Sequence, residues 1–441
     1  MEASCSKISQ LSYEGGTSAE VHFEASNVIA GSAATSKRGR HGVNDGCLWS
    51  KLDTDLWSML DDDLVEKIIA RLPFKSLFQA ASLSKTWSSK FLAHSFQNEV
   101  HESTASWKSF SPLFINNYME MIGYDSVSKV WHKLPTLSYL PVESVDWNLR
   151  AGGGSLLCWT SADQKMLEDP YKYNLCDGEY QVYVSNPLTR RWKQLPERPV
   201  MRFPDVVHVV CKGSKAYQVI LVSEIGRRGY PNCALCVQIF DSASCSWTVK
   251  HLNTGMFLDV AWGCSAYING ILYLLGRRDG YSLTSFNVQD ETWKHIPHLC
   301  QGMDGSSAVN EGPNPHLRFH DLRFSQVVVC GSEVMLVVLH KDKLSVFRLD
   351  LTAGLAFEVS RAPSEMLWAV HLCAAAGQGD CIYIGRRCPS FRSILYNVKA
   401  QEWQWVPFVT GRAKSAVDSR YDYWLWTSIT YQPGVNPFVE V

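Results

Sequence analysis

Few residues of this 441-residue chain stand at spacings that could perform covalent or metal chemistry. Cys233 and Cys236 have the C-x2-C spacing that lets two thiolates share a zinc ion. No second pair follows at a matching interval, however, and CALCVQIF reads as a strand. His316 and His320 would align two imidazoles on a helix, yet Pro313 and Pro315 break that helix and the base-supplying Glu of a zinc helix is missing. His295 and His298 flank Pro297 at the end of an apolar run and read as turn residues. There is no glycine-rich loop opening a helix for a phosphate, and no Gly-x-Ser-x-Gly elbow for a nucleophilic serine. No catalytic residue, metal ligand or cofactor is therefore assigned, and the expected role is not that of an enzyme.

The chemistry that does recur is that of arginine. Gly-Arg-Arg follows an apolar run in EIGRRGY (224–230), LLGRRDGY (274–281) and YIGRRCPSFR (383–392), and His340-Lys341-Asp342-Lys343 takes the corresponding place in a fourth run. Guanidinium forks grip carboxylates and phosphates through paired N–H donors. Arg227, Arg228, Arg277, Arg278, Arg386 and Arg387 are the candidate target-binding residues, with an acidic or phosphorylated protein segment as ligand. The alternative is charge that is solvated or paired within each repeat. Over the whole chain 42 Lys+Arg oppose 43 Asp+Glu, a net charge of −1, so a uniformly basic nucleic-acid binder is excluded and no direct nucleic-acid partner is expected.

For these arginines to act together, one architecture must bring them to one side. From about residue 118 short β-type runs alternate with turn residues, and one unit keeps returning: GYDSVSKVWHKLP (123–135), VSNPLTRRWKQLP (184–196), IFDSASCSWTVKHL (239–252), SFNVQDETWKHIP (285–297), FRLDLTAGLAFEVS (347–360) and LYNVKAQEWQWVP (395–407). In five units Asp or Asn stands six residues before Trp; in the fifth, Asp350 precedes Phe357 by seven. The unit reads as a strand ending at Asp or Asn, a turn of four or five residues, and a strand whose aromatic residue packs between neighbours. Trp131, Trp192, Trp247, Trp293, Phe357 and Trp403 are the expected anchors, and they give a place to part of an aromatic content of 12%. A period near 50 with hairpin texture is that of a kelch-type β-propeller blade. Six units predict six blades, or seven if a blade without the motif lies in a longer interval. DYWLWTSITYQP (422–433) has no hairpin of its own and is expected to complete the first blade, whose early strands are missing before residue 118. Because strands alternate in direction, the Gly-Arg-Arg loops belong on the rim opposite the Asp-to-Trp turns.

The N-terminal part differs. In DDDLVEKIIARLP (61–73), Asp63 is the expected helix cap with Glu66 reaching back, Arg71 lies near the end and Pro73 stops the helix. Leu64, Ile68 and Leu72 then share a face, and two further short helices are expected over Lys75–Leu83 and Lys85–Leu92. Three short helices bury too little of this apolar surface by themselves, which predicts cover by a partner protein. The run Leu56 to Phe96 resembles an F-box, the helical module that binds the Skp adaptor of Skp–cullin–F-box ubiquitin ligases. That resemblance implies adaptor contacts from Leu60, Leu64, Ile68, Leu72, Pro73, Leu77, Leu83 and Trp87. It departs from the pattern at Met59-Leu60, where Leu-Pro is usual, and at Ala81-Ser82-Leu83-Ser84, where Arg-Cys-Val-Cys is usual.

An F-box before kelch-like repeats, with the phrases VSNPLT and YDS-x4-W, is similar to plant F-box/kelch proteins of the leaf-curling and unusual-floral-organs type, although the kelch double glycine is absent. The resemblance implies a substrate receptor that binds a Skp-type adaptor and through it a cullin, while other subunits transfer ubiquitin. The alternatives are a scaffold or transcriptional co-regulator that leaves its partner intact, and a propeller metalloenzyme of the copper oxidase kind. The expected organisation is a disordered tail (1–54), the F-box (55–98), a connector (99–117), a kelch-like β-propeller (118–433) and a short tail (434–441). Lys37, Arg38, Arg40 and His41 read as solvated charge rather than a nuclear-import signal. Fourteen scattered Cys suit reduced thiols, and no apolar stretch nears the about 18 residues of a membrane span, so nucleus and/or cytoplasm is expected, with no membrane partner.

Overall fold

The computed structural model describes residues 60–72, Phe96 and, between 113 and 427, the strands and many of their tight turns. Residues 1–59, 73–95, 97–112, 163–179, 226–233, 253–264, 297–321, 387–391, 408–424 and 428–441, with shorter interruptions, lie outside the described residues. Both expected tails and the second and third F-box helices fall there.

Helix α1 spans Asp62–Ala70. Its cap is Asp61 rather than the expected Asp63: the Asp61 carbonyl accepts from the N–H groups of Leu64 (2.9 Å) and Val65 (3.0 Å), which starts the helix two residues earlier. Asp62 and Asp63 instead occupy the first turn, where their charge faces the positive end of the helix dipole. Ile69 and Ala70 are buried, whereas Leu64 and Ile68 remain 47% and 37% exposed.

The strands form four-stranded antiparallel sheets arranged as blades. Five are each built from consecutive strands. Blade II holds β4 Asp146–Gly153, β5 Leu156–Ala162, β6 Tyr180–Asn186 and β7 Arg191–Gln194. Blade III holds β8 Val206–Lys212, β9 Ala216–Ile225, β10 Ala234–Asp241 and β11 Ser246–Leu252. Blade IV holds β12 Ser265–Ile268, β13 Ile271–Gly276, β14 Ser282–Asn287 and β15 Thr292–Ile296. Blade V holds β16 Leu322–Cys330, β17 Glu333–His340, β18 Lys343–Asp350 and β19 Leu355–Arg361. Blade VI holds β20 Cys373–Gln378, β21 Cys381–Arg386, β22 Ser393–Asn397 and β23 Glu402–Val406.

The remaining sheet, blade I, is composite: β1 Leu113–Ile115, β2 Met121–Asp125 and β3 Val130–Leu134 are joined by β24 Leu425–Thr427, which pairs with β1 (Leu113 opposite Thr427, Ile115 opposite Leu425). The C-terminal segment thus supplies the strand that blade I lacks. β1 lies inside the stretch read as connector (99–117), so the β-domain begins earlier than 118; a three-residue strand carries too little periodicity to be noticed in the sequence.

Alternate residues of a strand face opposite neighbours, and here both faces are covered, so strands such as VILV (219–222) are continuously apolar. Val219 and Leu221 pack with Cys158 and Val184 of blade II; Ile220 and Val222 pack with Leu272 and Phe286 of blade IV. Phe347 and Leu349 join blade V to Tyr273 and Leu275 of blade IV, and Val337 and Val346 join it to Ile384 and Tyr396 of blade VI. Tyr124 and Trp131 of blade I pack with Tyr383 and Leu395 of blade VI, and β24 lies against β4.

The recurring hairpin has one geometry throughout. The Asp or Asn pairs with the residue five positions later, and the residue four positions later has positive φ: Lys129, Arg190, Cys245, Glu291, Gly354 and Gln401. The side-chain oxygen holds the turn by accepting backbone N–H groups, as Asp241 does from Ala243 (2.9 Å) and Asp350 from Thr352 (2.9 Å) and Ala353 (2.8 Å). The Trp comes next and faces an aromatic ring, with centroid separations of 5.1 Å for Tyr124–Trp131, 5.3 Å for Phe240–Trp247 and 4.5 Å for Phe286–Trp293 and Tyr396–Trp403.

Blade V corrects one expectation. Its turn has the same length as the others, so the position of the Trp belongs to Ala356, which packs against the blade IV–V core. Phe357, the expected anchor, falls one residue later on the opposite face, across from Arg348, and is 52% exposed.

Candidate functional site

In each blade the loop between second and third strands lies on the same rim as the connection to the next blade, and the Asp-to-Trp turn lies on the other. In sequence the Gly-Arg-Arg motifs begin at the ends of β9, β13 and β21, the second strands of blades III, IV and VI, and those strand ends lie on one rim, here termed the arginine rim. Arg386 closes β21, opposite Cys373. Arg227, Arg228, Arg277, Arg278 and Arg387 lie outside the described residues. In blade V, His340 at the end of β17 pairs with Lys343 at the start of β18.

Of the expected adaptor contacts, Leu64 and Ile68 form an exposed apolar pair one turn apart on α1. Leu60 and Leu72 are half-buried at its two ends. Pro73, Leu77, Leu83 and Trp87 lie outside the described residues.

The zinc-like spacing has a structural explanation on one side. Cys236 sits inside β10, fully buried, with its thiol pushed up to about 11 by desolvation. Cys233 lies outside the described residues, as do His298, His316 and His320. His295 is a strand residue rather than the expected turn residue: it belongs to β15, opposite Thr284, whose hydroxyl lies 3.1 Å from Nδ1. Among the described residues no three His, Cys, Asp or Glu side chains gather as a metal site would require, and no helix is long and apolar enough to cross a membrane.

Sequence reasoning passed over a second feature of the arginine rim, the strap Glu197–Asp205 that carries the chain from blade II to blade III. Arg198, 5% exposed, lies beneath it. Its guanidinium stacks on the Tyr180 ring at 3.4 Å and donates to the Tyr180 hydroxyl and to the carbonyls of Tyr180 (3.0 Å), Val200 (3.1 Å) and Arg202 (3.2 Å). Arg150 of β4 donates to the Pro204 carbonyl (2.7 Å) and stacks on Phe203 at 4.7 Å. Gln238 of blade III fixes Val200 from both sides, accepting its N–H (3.0 Å) and donating to its carbonyl (3.1 Å). The signal was the Pro-flanked ERPVMRFPD (197–205), which has no counterpart in the other repeats.

Comparison with known families matches residues 57–96 to the F-box domain and residues 161–350 to the F-box associated beta propeller domain. The chain is thus an F-box protein with an F-box-associated propeller, and an F-box domain implies binding to a Skp-type adaptor. Its relatives include Arabidopsis thaliana F-box only protein 6, 24% identical over 376 residues that cover 81% of this chain and 71% of the relative. An F-box protein of the same plant is 29% identical over 254 residues, 53% of this chain and 62% of the relative. An F-box/kelch-repeat protein, also from Arabidopsis thaliana, is 24% identical over 198 residues, 42% of this chain and 44% of the relative. The matches thus span less than two thirds of the latter two proteins.

Proposed function

We propose that this chain is the target-binding subunit of a Skp–cullin–F-box ubiquitin ligase. The observation that carries the proposal is the pairing, in one chain, of an F-box helix whose Leu64 and Ile68 are left exposed with a propeller whose blades are packed face to face. The α1 face, with Leu60, Leu72, Pro73, Leu77, Leu83 and Trp87, docks on the adaptor and through it on a cullin. The propeller, a ring of six blades closed by β24, holds the target on the arginine rim, where Arg227, Arg228, Arg277, Arg278, Arg386 and Arg387 face acidic or phosphorylated groups. Ubiquitin transfer itself belongs to other subunits. A rigid receptor raises the effective concentration of target beside the ubiquitin carrier, which requires positioning and no catalytic side chain here. Nucleus and/or cytoplasm are the compartments proposed for this role.

The test is the half-life of proteins captured by the propeller, in cells carrying the full chain or a chain without residues 55–98. A target that accumulates when the F-box is removed, and also when proteasomes are blocked, supports the ligase reading. A captured partner with the same half-life under all conditions replaces it with a non-degradative scaffold.

A further inference from the structure

Resting on the target-receptor reading, we propose that the rim of the Asp-to-Trp turns on blades I and II is a second docking surface, which takes an acidic face of the F-box-bound adaptor through Lys129, Arg190, Arg191 and Lys193. Strand pairing shows where the chain enters the propeller. β1 is antiparallel to β2, with Leu113 opposite Gly123 and Ile115 opposite Met121. Because β2 ends at Asp125 on the turn rim, Leu113 is the end of β1 nearer that rim, and Thr427 at the end of β24 lies opposite it. The chain coming from the F-box therefore joins blade I on the turn rim, away from the arginine rim. Residues 97–112 separate Phe96 from Leu113, a reach of at most about 60 Å when fully extended. An adaptor held at the F-box is thus tethered to this rim, and a tether raises the local concentration enough for a weak contact to form.

Lys129 and Arg190 take the same position in the turns of blades I and II, the one with positive φ (57° and 56°), and both side chains are exposed. In blade V Gly354 fills that position at φ 71°, a conformation that suits glycine, so the turn itself does not ask for a cation. Arg191 and Lys193 lie half-buried on β7, opposite Asn186 and Val184, and as alternate residues they share one face of the strand. Arg190 lies near the hydroxyl of Tyr139, a neutral group in the connection from blade I to blade II. Among the described residues none of the four cations forms an ion pair with a carboxylate.

The surrounding charge is one-sided. On their turns and outermost strands, the described residues of blades I and II carry Lys129, Lys133, Arg190, Arg191 and Lys193. Against these five stand two carboxylates: Asp125, which is 6% exposed and faces His132 at 4.0 Å, and Glu197, three residues beyond β7. Blade III adds Lys212 and Asp241, which pair with each other at 3.4 Å, and blade VI adds Asp380 and Glu402 against Lys399 at its turns. The positive surplus is therefore local to blades I and II, on the rim that the F-box connector reaches. Exposed charge of this kind draws in an acidic surface and fixes its approach, and it does so less well as salt rises. The contact adds to the apolar face of α1 and does not replace it.

The experiment measures the affinity of the full chain for a purified Skp-type adaptor at about 50 mM and about 500 mM salt, between which screening of exposed charge changes severalfold. The unsubstituted chain is expected to bind more tightly at the lower salt. Arg190→Gln/Arg191→Gln/Lys193→Gln is expected to weaken binding about tenfold at the lower salt and to reduce the salt dependence, at unchanged thermal midpoint. Lys399→Gln, the same change on the blade VI turn, is expected to leave the affinity as it was. A triple variant with the affinity and salt dependence of the unsubstituted chain overturns the proposal and leaves the receptor reading standing, since α1 still docks. Absence of adaptor binding by the unsubstituted chain overturns both. A labelled deca-glutamate peptide tests for another acidic occupant: if it binds the unsubstituted chain and not the triple variant while adaptor affinity is equal for the two, the surface serves a different acidic protein and the adaptor assignment is overturned.

Discussion

The indole of Trp131 donates to the carbonyl of Pro407 at 2.7 Å, joining the outermost strand of blade I to the end of the outermost strand of blade VI across 276 positions of sequence. The same latch recurs around the ring: Trp247 donates to the Pro196 carbonyl of the preceding blade at 2.9 Å, and Trp403 to the Ser360 hydroxyl of the preceding blade at 2.9 Å. These three Trp residues therefore do two things, filling the seam with the ring and tying the preceding blade with the N–H.

Removing the donor alone separates these roles. Trp131→Phe is expected to cost about 1 kcal/mol, the net worth of one hydrogen bond, whereas Trp131→Ala is expected to cost about 3–5 kcal/mol because the ring is 7% exposed in a packed seam. Equilibrium urea unfolding of both variants measures the difference. Equal stability of Trp131→Phe and the unsubstituted chain would remove the latch from the account.

Blade V supplies the internal control. Phe357 is exposed and does not occupy the anchor position, so Phe357→Ser is expected to change stability by less than about 0.5 kcal/mol, while Trp403→Ala costs about 3–5 kcal/mol. A shift in melting temperature for Phe357→Ser as large as that for Trp403→Ala would restore Phe357 as an anchor.

The contrast shows where sequence reasoning reached and where it stopped. Asp125, Asn186, Asp241, Asn287, Asp350 and Asn397 mark all six hairpins because their turn chemistry is local, and local chemistry is visible in a single chain. Aromatic type aligns Phe357 with the Trp residues, but turn length decides which face a residue takes, and the constant five-residue pairing from Asp350 puts Ala356 there. Arg198 was not legible as part of the site because its carbonyl acceptors and the Tyr180 ring are assembled by the fold. Three successive Asp offer three similar candidates for the α1 cap, and the structure takes Asp61, two residues before Asp63.

Two glycines carry a requirement that comes entirely from a neighbouring blade. A Cβ at Gly153 would stand 1.9 Å from the Val209 carbonyl oxygen, and one at Gly377 would stand 1.9 Å from that of Val329, so the innermost strands of blades II and III, and of V and VI, approach too closely for any side chain. Gly153→Ala and Gly377→Ala are each expected to lose about 1–3 kcal/mol in urea unfolding through displaced backbone. Gly270→Ala meets nothing within 4 Å but is strained at φ +82°, so a smaller loss, about 1 kcal/mol, is expected. Unchanged stability of the first two would mean that the strands can separate without penalty.

Acid should weaken the blade III–IV seam through His208. Its ring lies 2.9 Å from the Ser265 hydroxyl of blade IV, and burial pushes its pKa down from 6.5 to about 4. The unfolded chain thus takes up the proton first. The contribution of neutral His208 is complete above pH 6.5 and is lost as pH falls from 6.5 toward 4, by no more than about 3 kcal/mol, since the residue retains some contact with solvent. His208→Gln is expected to flatten that part of the stability–pH profile; parallel profiles for the two proteins would exclude His208 as the titrating group.

The central claim, that α1 presents an adaptor-binding face to which the propeller is attached as an independent receptor, is tested most directly by the affinity of the full chain for a purified Skp-type adaptor, with and without Leu64→Lys and Ile68→Lys. Both side chains are already exposed, so the substitutions are expected to leave the thermal midpoint of the propeller unchanged. The account predicts tight binding by the unsubstituted chain and a loss of about a hundredfold or more in the double variant, from two buried charges at the interface. Undiminished binding by the double variant would contradict it.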